Sequence, residues 1–260
     1  MVSDTDNAVP VVTQLRLKVY GPNDSTIPVD GPASTLLPGE QKILEWTIPD
    51  DRDSQPIQAL GLILSVPEGS LNGTVWLDSL GWSGTPQVTL KGPTISPGKA
   101  WLRAWVNGVS NVMTHSKIFH VAQNSGEGIF AYGTRDWINY RVFARDFTVN
   151  IGGPVGIAVR VQGLNRYYSL MFLPGRRVAL IKARDSVRTE LASVEFDWKL
   201  DVKYDVVMTV EGSSIKGRIS GGPNLEADDD DDDAYHEGGI GIVVTDGSAS
   251  VEQFKVGALE

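Results

Sequence analysis

The chain has 260 residues, of which 41% are hydrophobic and 21% charged, and it contains no cysteine. The hydrophobic and charged fractions are ordinary for a globular protein, so they exclude global disorder. The lack of cysteine excludes disulfides and thiolate chemistry. The net charge is −9, but six aspartates in one run, Asp228 to Asp233, supply most of it. No clustered basic surface suited to a phosphate backbone and no apolar run of roughly 20 residues is apparent. We therefore expect a soluble protein with no nucleic-acid and no membrane partner.

The first part of the chain has the pattern of short strands separated by turn-rich loops. Alternating apolar residues predict strands at Gln14–Tyr20, Lys42–Ile48, Ile57–Val66 and Gly73–Trp82. The stretch Gly21–Gly39 carries several Pro and Gly residues and is predicted as a loop. Four strands of this kind favour a jelly-roll-like β-sandwich, which we place at residues 1–92.

A linker is predicted at Lys91–Lys99, where Pro and Gly are concentrated and little can pack. The β pattern then continues to the end of the chain, and no segment has a capped helix of three turns. The clearest strand pair is Val155–Gln162 and Tyr167–Leu173. We therefore predict an all-β protein of two tandem β-sandwiches, with the second domain at residues 99–260.

From about Trp101 onward the sequence resembles the concanavalin A-like, or laminin-G-like, sandwich. The residues that carry this resemblance are Thr134–Tyr140, Gly156–Gln162, Arg166–Tyr168, Tyr204–Val206, Ile215–Gly217, Gly238–Ile242 and Ser250–Val256. More narrowly, Gly73–Trp82 joined to that sandwich resembles the C-terminal accessory region of ADP-ribosylglycohydrolase-like proteins. That resemblance implies an accessory portion without the helical, metal-binding hydrolase domain.

The resemblance implies a ligand face on the concave side of one sheet. On the predicted strand Val155–Gln162, four β-branched residues share one face, and Arg160 and Gln162 share the other. These two side chains could hydrogen-bond sugar hydroxyls, and Tyr167 or Tyr168 could stack on a sugar ring. The alternative is a solvated sheet face with one of the tyrosines buried.

Two further candidates have equally plausible structural roles. Trp137 could belong to an aromatic sugar platform, but its place just before a strand favours a buried packing anchor. In the first domain, Asp78 could orient a ligand or bind a structural ion, or could simply be an exposed edge residue. The two positions are retained as candidate ligand-binding residues.

The aspartate run offers hard oxygen ligands of the kind that calcium selects. A homopolymeric run, however, repels itself and usually stays solvated, whereas calcium loops place their ligands at set spacings. We therefore expect a mobile loop, no metal site and no cofactor, with calcium as the alternative.

Catalytic signatures are scarce in this sequence. The three histidines, His115, His120 and His236, fall in different segments without a Ser-His-Asp, His-Glu-x-x-His or paired-carboxylate pattern. The sequence therefore favours a non-catalytic accessory module that binds a carbohydrate or another small polar ligand. The alternative is a stand-alone cyclase, isomerase or glycosidase-like enzyme with a pocket in a sandwich groove or between the domains. In that case His120, His236, Asp78 or Arg160 would be the candidate acid, base or electrostatic stabiliser.

Overall fold

The computed structural model describes residues 9–48, 56–66, 74–92, 98–114 and 117–259. Within these ranges the chain forms seventeen β-strands and two short 3-10 helices, Pro22–Asp24 and Ala100–Ala104, with no α-helix. The all-β fold class predicted from the sequence is confirmed. None of the described helices has the length and hydrophobicity that a membrane span requires. The chain divides into two compact units, Met1–Ser83 and Gly84–Glu260.

The first unit contains a three-stranded antiparallel sheet. Its strands, in the order β2-β1-β3 across the sheet, are β1 (Val11–Tyr20), β2 (Thr26–Leu36) and β3 (Ile57–Ser65). The alternation predicted for the first strand is present, since Leu17 and Val19 are buried on one face of β1. β1 is the central strand because it is paired on both sides, with β2 and with β3. It also supplies the buried face.

Strand β2 lies in the stretch that the sequence predicted as a loop. Proline cannot donate a hydrogen bond to the ladder, but it is tolerated on an edge strand. β2 is such an edge strand, with Pro28 opposite Lys18 of β1. The loop prediction is therefore wrong for Thr26–Leu36. The strand prediction for Lys42–Ile48 is also wrong, because these residues have no strand pairing.

The segment predicted as a strand at Gly73–Trp82 is described from Thr74 onward. It contains one isolated bridge at Val75 and no strand. Trp76 and Trp82 are 69% and 67% exposed, and Asp78 between them is also exposed. Polar and apolar residues do alternate along this segment, but no strand among the described residues pairs with the segment. The strand prediction is therefore wrong for this part of the chain.

The second unit contains the remaining strands. Their bounds are β4 (Val88–Lys91), β5 (Val106–Asn107), β6 (Asn111–Val112), β7 (Phe119–Tyr132), β8 (Tyr140–Ile151), β9 (Val155–Gly163), β10 (Arg166–Leu173), β11 (Arg177–Arg184), β12 (Val187–Glu195), β13 (Lys203–Glu211), β14 (Ser214–Ile219), β15 (Asn224–Asp228), β16 (Gly239–Val251) and β17 (Gln253–Gly257). β4 precedes the predicted linker but pairs with β17, so it belongs to the second unit. Residues 93–97 of the predicted linker lie outside the described residues.

These strands form the two layers of a β-sandwich. One layer has the order β12-β11-β10-β9-β16-β7, with β5 and β6 on the far side of β7. The other has the order β15-β14-β13-β8-β17-β4. The layers are joined where the second half of β16 pairs with the end of β8. Strands β7 and β16 are long enough to contribute to both layers.

A bulge allows β7 and β16 to change direction between the layers. Their pairing shifts register between Thr245 and Gly247, where Glu127 and Gln123 are the respective partners. Gly153 approaches this bend with a φ of 141°, and a Cβ there would lie 2.1 Å from the carbonyl oxygen of Thr245. Only glycine fits such a close backbone approach.

The core between the layers is large and rich in aromatic residues. Trp105 stacks on Phe130 with ring centroids 4.4 Å apart, and Phe119 joins the same cluster. A second, smaller apolar cluster lies on the opposite face of the β12-to-β7 layer. Because both faces of this layer are buried near its centre, its strands carry longer apolar runs than simple alternation predicts.

Candidate functional site

Strand β9 was expected to present Arg160 and Gln162 to a ligand. Val155, Ile157 and Val159 are buried in the main core, as predicted. The alternation then breaks at Arg160, which has a φ of 48° and lies where the pairing with β16 shifts register. A bulge of this kind redirects the following side chains. Arg160 is 1% exposed, so the prediction that it faces away from the core is wrong.

The hydrogen bonds of Arg160 are all made inside the protein. Its Nη1 donates to the carbonyl oxygen of Tyr235 at 2.8 Å, and its Nη2 donates to that of Ile138 at 3.4 Å. Its backbone N–H donates to Oη of Tyr140 at 2.7 Å, and that hydroxyl donates to the carbonyl oxygen of Gly239 at 2.8 Å. Arg160 therefore ties three chain segments together at the end of the sandwich.

The other predicted site residues are divided between the two units. Gln162, in the second unit, is half-buried and donates to the carbonyl oxygen of Glu237 at 3.2 Å. Trp137, in the same unit, is half-buried, with its ring edge-on to Tyr140 at 5.9 Å. Asp78 is exposed in the first unit.

Tyr167 lies on the outer face of the layer, where the sequence placed the ligand. It is buried in the second apolar cluster with Ala158 and Met171. Its hydroxyl donates to the carboxylate of Glu127, which also accepts two hydrogen bonds from the guanidinium of Arg188. Burial and the negative charge of Glu127 raise the pKa of Tyr167. This part of the face is therefore filled by its own side chains.

The aspartate run was expected to be a solvated, mobile loop. Instead Asp229 is 3% exposed and accepts a hydrogen bond from Oη of Tyr168 at 2.5 Å. The Lys182 ammonium lies 2.7 Å from Asp229 and 2.5 Å from Asp233. The expectation of a wholly solvated run is therefore wrong at Asp229.

Three carboxylates of the run, those of Asp229, Asp231 and Asp233, have oxygen atoms within 4.8 Å of one another. Such a group has the oxygen chemistry of a calcium site. The Lys182 ammonium already supplies a positive charge to two of the three. Burial raises the pKa of Asp229, but hydrogen bonds from Lys182 and Tyr168 outweigh it, so that the pKa lies below its ordinary value.

The histidines proposed for the enzymatic alternative have different environments. His115 lies outside the described residues, and His236 is exposed. His120 Nε2 lies 2.7 Å from Oγ of Ser248, a distance that would suit a base beside a nucleophile. The Ser248 hydroxyl also lies within donating distance of the carbonyl oxygen of Val121, at 3.1 Å, and both contacts are satisfied in the tautomer in which His120 Nε2 is the donor. Partial burial also lowers the pKa of His120. In that tautomer His120 Nε2 cannot accept the serine proton.

An open cleft occupies the edge of the second unit beside β7. It has a volume of about 770 Å³ and lies between the 3-10 helix Ala100–Ala104 and the β5–β6 segment, residues 106–112, whose two short strands pair one after the other with β7. Its described lining residues are Lys99, Leu102, Asn107, Ser110, Asn111, Val112, Met113 and Thr114. This volume falls within the range of small-ligand sites, roughly 300 to 1,000 Å³. The lining mixes amide, hydroxyl and ammonium groups with a small apolar surface.

The β5–β6 segment is held in place by a few specific contacts. Gln123 on β7 accepts hydrogen bonds from the backbone N–H of Ser110 at 2.8 Å and from its hydroxyl at 3.1 Å. Asn107 Oδ1 accepts the N–H of Val109 at 3.3 Å. These bonds fix the backbone of the turn and orient the Asn107 side chain toward its own loop.

Several donors of the cleft remain available to a ligand. Within the described part of the chain, the ammonium of Lys99, the amide nitrogen of Asn107 and the side-chain amide of Asn111 make no hydrogen bond. Lys99, Asn107 and Asn111 are all exposed. Sequence reasoning did not identify this site, because Asn and Ser in a Gly-containing loop are also typical of ordinary turns.

Comparisons with known proteins support the fold. No family model matches the chain, and no curated protein matches it. Among solved structures, the carbohydrate-binding module CBM66 from Bacillus subtilis is 16% identical with a TM-score of 0.50, covering 60% of this chain and 96% of that chain. A protein of unknown function with a galectin-like fold, also from Bacillus subtilis, is 15% identical with a TM-score of 0.49, covering 62% of this chain and 91% of that chain.

The structural match to the module covers more residues than the first unit contains, so it includes part of the second unit. Structural similarity at such low sequence identity shows a shared fold only. The functional site therefore has to be inferred from the residues of this chain. The second unit has the β-sandwich fold shared with carbohydrate-binding modules.

Proposed function

We propose that the second unit is a carbohydrate-binding module that holds its ligand in the cleft beside the β5–β6 segment. The observation that carries this proposal is the set of unpaired donors at Lys99, Asn107 and Asn111 around one open cleft. The sandwich fold and the carbohydrate-binding module of similar architecture support it.

The lining suits a sugar because a sugar ring presents both hydroxyls and an apolar C–H surface. Amide groups can donate to one hydroxyl and accept from its neighbour. Leu102, Val112 and Met113 supply an apolar patch beside these amides. An open cleft at a sheet edge admits an oligosaccharide chain from solvent and favours modest affinity, since much of the ligand stays hydrated.

We further propose that the module serves as the accessory part of a longer enzyme, as the resemblance to the region following ADP-ribosylglycohydrolase-like domains implies. Lys99 is the one titratable side chain among the eight described lining residues. A binding role is therefore better supported at this cleft than acid–base catalysis, which requires a positioned proton donor and acceptor.

The direct test is calorimetric titration of the full chain with a panel of neutral and acidic oligosaccharides. A ligand identified in this way should bind Asn111→Ala about two- to tenfold more weakly, because one hydrogen bond contributes about 0.5 to 1.5 kcal/mol net. Asn107→Ala should weaken it by a similar factor.

The matched control is Asn224→Ala, which removes an exposed asparagine from β15 in the other layer. This variant should bind like the parent, and all three variants should keep the parent's melting temperature. Saturable binding that survives both cleft substitutions would place the site elsewhere, and no saturable binding across the panel would reject the function.

A further inference from the structure

Charge is unevenly distributed along this acidic chain. Between Asp78 and Glu127 there is no aspartate or glutamate, although the net charge of the whole chain is −9. The same stretch holds four cations, Lys91, Lys99, Arg103 and Lys117. It also supplies every lining residue of the cleft.

One of these cations lies in the cleft and the others are carried by the chain segments next to it. Lys99 lines the cleft directly, and Arg103 follows the lining residue Leu102 in the same 3-10 helix. A Cβ at Gly92 would lie 2.6 Å from the carbonyl oxygen of Lys117, so the backbones beside Lys91 and at Lys117 are in contact.

The segment that carries Lys117 also adjoins the lining of the cleft. The backbone N–H of Met113, a lining residue, donates to the carbonyl oxygen of His120 at 2.9 Å. Lys91, Arg103 and Lys117 are exposed, and no ion pair involves any of the four cations in the described part of the chain.

The acidic groups that border this region have partners of their own. Asp246 accepts the backbone N–H of Gly126 at 2.7 Å. Glu127 accepts from Tyr167 and forms an ion pair with Arg188. The stretch that supplies the described lining therefore has four cations and no carboxylate in a chain that is otherwise acidic, and an excess of positive charge attracts anions from solution.

We propose that the cleft selects anionic saccharides, with Lys99 binding the carboxylate or sulfate and Asn107 and Asn111 binding the neighbouring hydroxyls. This inference rests on the proposed carbohydrate-binding function and specifies its substrate class. Arg103, Lys91 and Lys117 act mainly by attraction at longer range, which salt screens over about 8 Å at physiological ionic strength.

The test compares three ligands of equal length: an oligogalacturonide, a sulfated galacto-oligosaccharide and the neutral galacto-oligosaccharide. Binding of the full chain is measured by calorimetry at low and physiological salt. We expect at least one anionic ligand to bind more tightly than the neutral one, with the difference shrinking as salt rises. Comparing the uronate with the sulfate identifies which anionic group is bound.

Charge variants then assign the preference to the cleft. Lys99→Gln is expected to weaken anionic binding about two- to fivefold, a larger factor than it causes for the neutral ligand, and Arg103→Gln is expected to weaken anionic binding and to leave neutral binding unchanged. Lys216→Gln is the control, since it removes an exposed lysine from β14 in the other layer.

The possible failures are distinguishable. Equal binding of neutral and anionic ligands, lost in Asn111→Ala, would overturn the anionic preference and leave the proposed function intact. No binding of any saccharide would overturn both. Equally tight binding of an oligothymidylate at the same salt would show general attraction of polyanions and overturn the selection of a saccharide.

Discussion

The positively charged side chains of the second unit occupy two different environments, one buried and one exposed. Arg160 and Lys182 are buried, and the Nη atoms of Arg160 and the ammonium of Lys182 bind carbonyl or carboxylate oxygens of the same chain. Lys99 at the cleft and Arg103 in the adjoining 3-10 helix are exposed and have no partner in the described residues. A cation whose hydrogen bonds are satisfied internally stabilises the fold, whereas one with free donors is available to a ligand. Residue type alone does not distinguish the two uses.

The sharpest test of this contrast is Lys182→Met. The substitution leaves Asp229 buried without its counter-ion, which costs about 3 to 5 kcal/mol. Thermal or urea unfolding should show this loss, whereas saccharide binding at low temperature should be unchanged. In Lys182→Met/Asp229→Asn the buried charge is also gone, so much of the stability should return. A Lys182→Met variant as stable as the parent would show that the pair has no structural role.

The second test is Arg160→Ala. It leaves the buried carbonyl oxygen of Tyr235 and the partly buried one of Ile138 without this donor and creates a cavity, so we expect a loss of about 3 kcal/mol. Arg160→Gln, which can replace one of the hydrogen bonds, should lose less. If Arg160→Ala unfolded like the parent but failed to bind sugar, Arg160 would be a ligand residue after all.

The third test uses acid. The pKa of Asp229 is below its ordinary value in the folded state, so its stabilising contribution is complete above about pH 4, the unfolded value. The contribution is lost as the pH falls through the lower, folded-state pKa. Melting temperatures measured between pH 2 and 6 should therefore fall more steeply for the parent than for Lys182→Met/Asp229→Asn. Parallel curves would contradict the assigned pKa.

The smallest effects are expected from the exposed part of the aspartate run. Asp230 and Asp232 are exposed and repel their neighbours, so Asp230→Ser/Asp232→Ser should change stability by less than about 0.5 kcal/mol, toward higher stability. We also expect millimolar calcium to leave the melting temperature unchanged, because Asp229 and Asp233 are already paired with Lys182 and Arg184. A calcium-dependent rise that Asp229→Asn abolishes would identify a metal site.

The fold class was predictable because it depends on patterns spread over many residues. Alternation identified β1 and the buried face of β9 as far as Val159, where each strand is regular. Prediction failed where a single position changes the geometry. The bulge at Arg160 reverses the faces of β9, and the edge position of β2 permits a proline-containing strand. Neither follows from local sequence, since both depend on pairing with distant strands.

The candidate site was less predictable than the fold. Burial of Tyr167 depends on Glu127 and Arg188, which are far apart in sequence. The cleft was missed because its residues are common turn formers. The acid-free stretch around Lys99 is a signal that sequence reasoning could have used, since it contrasts with the rest of an acidic chain. What the sequence could not show is that the fold places this stretch around one cleft.

The attachment of the β5–β6 segment separates recognition from folding. Each of its strands has only two residues paired with β7, and the core aromatic Trp105 precedes the segment rather than lying within it. Positions 107, 110 and 111 can therefore vary without removing a core side chain. Related modules could diverge in the sugars they bind by exchanging these few surface residues. The same three positions are a compact target for a library that selects new saccharide specificities on an unchanged framework.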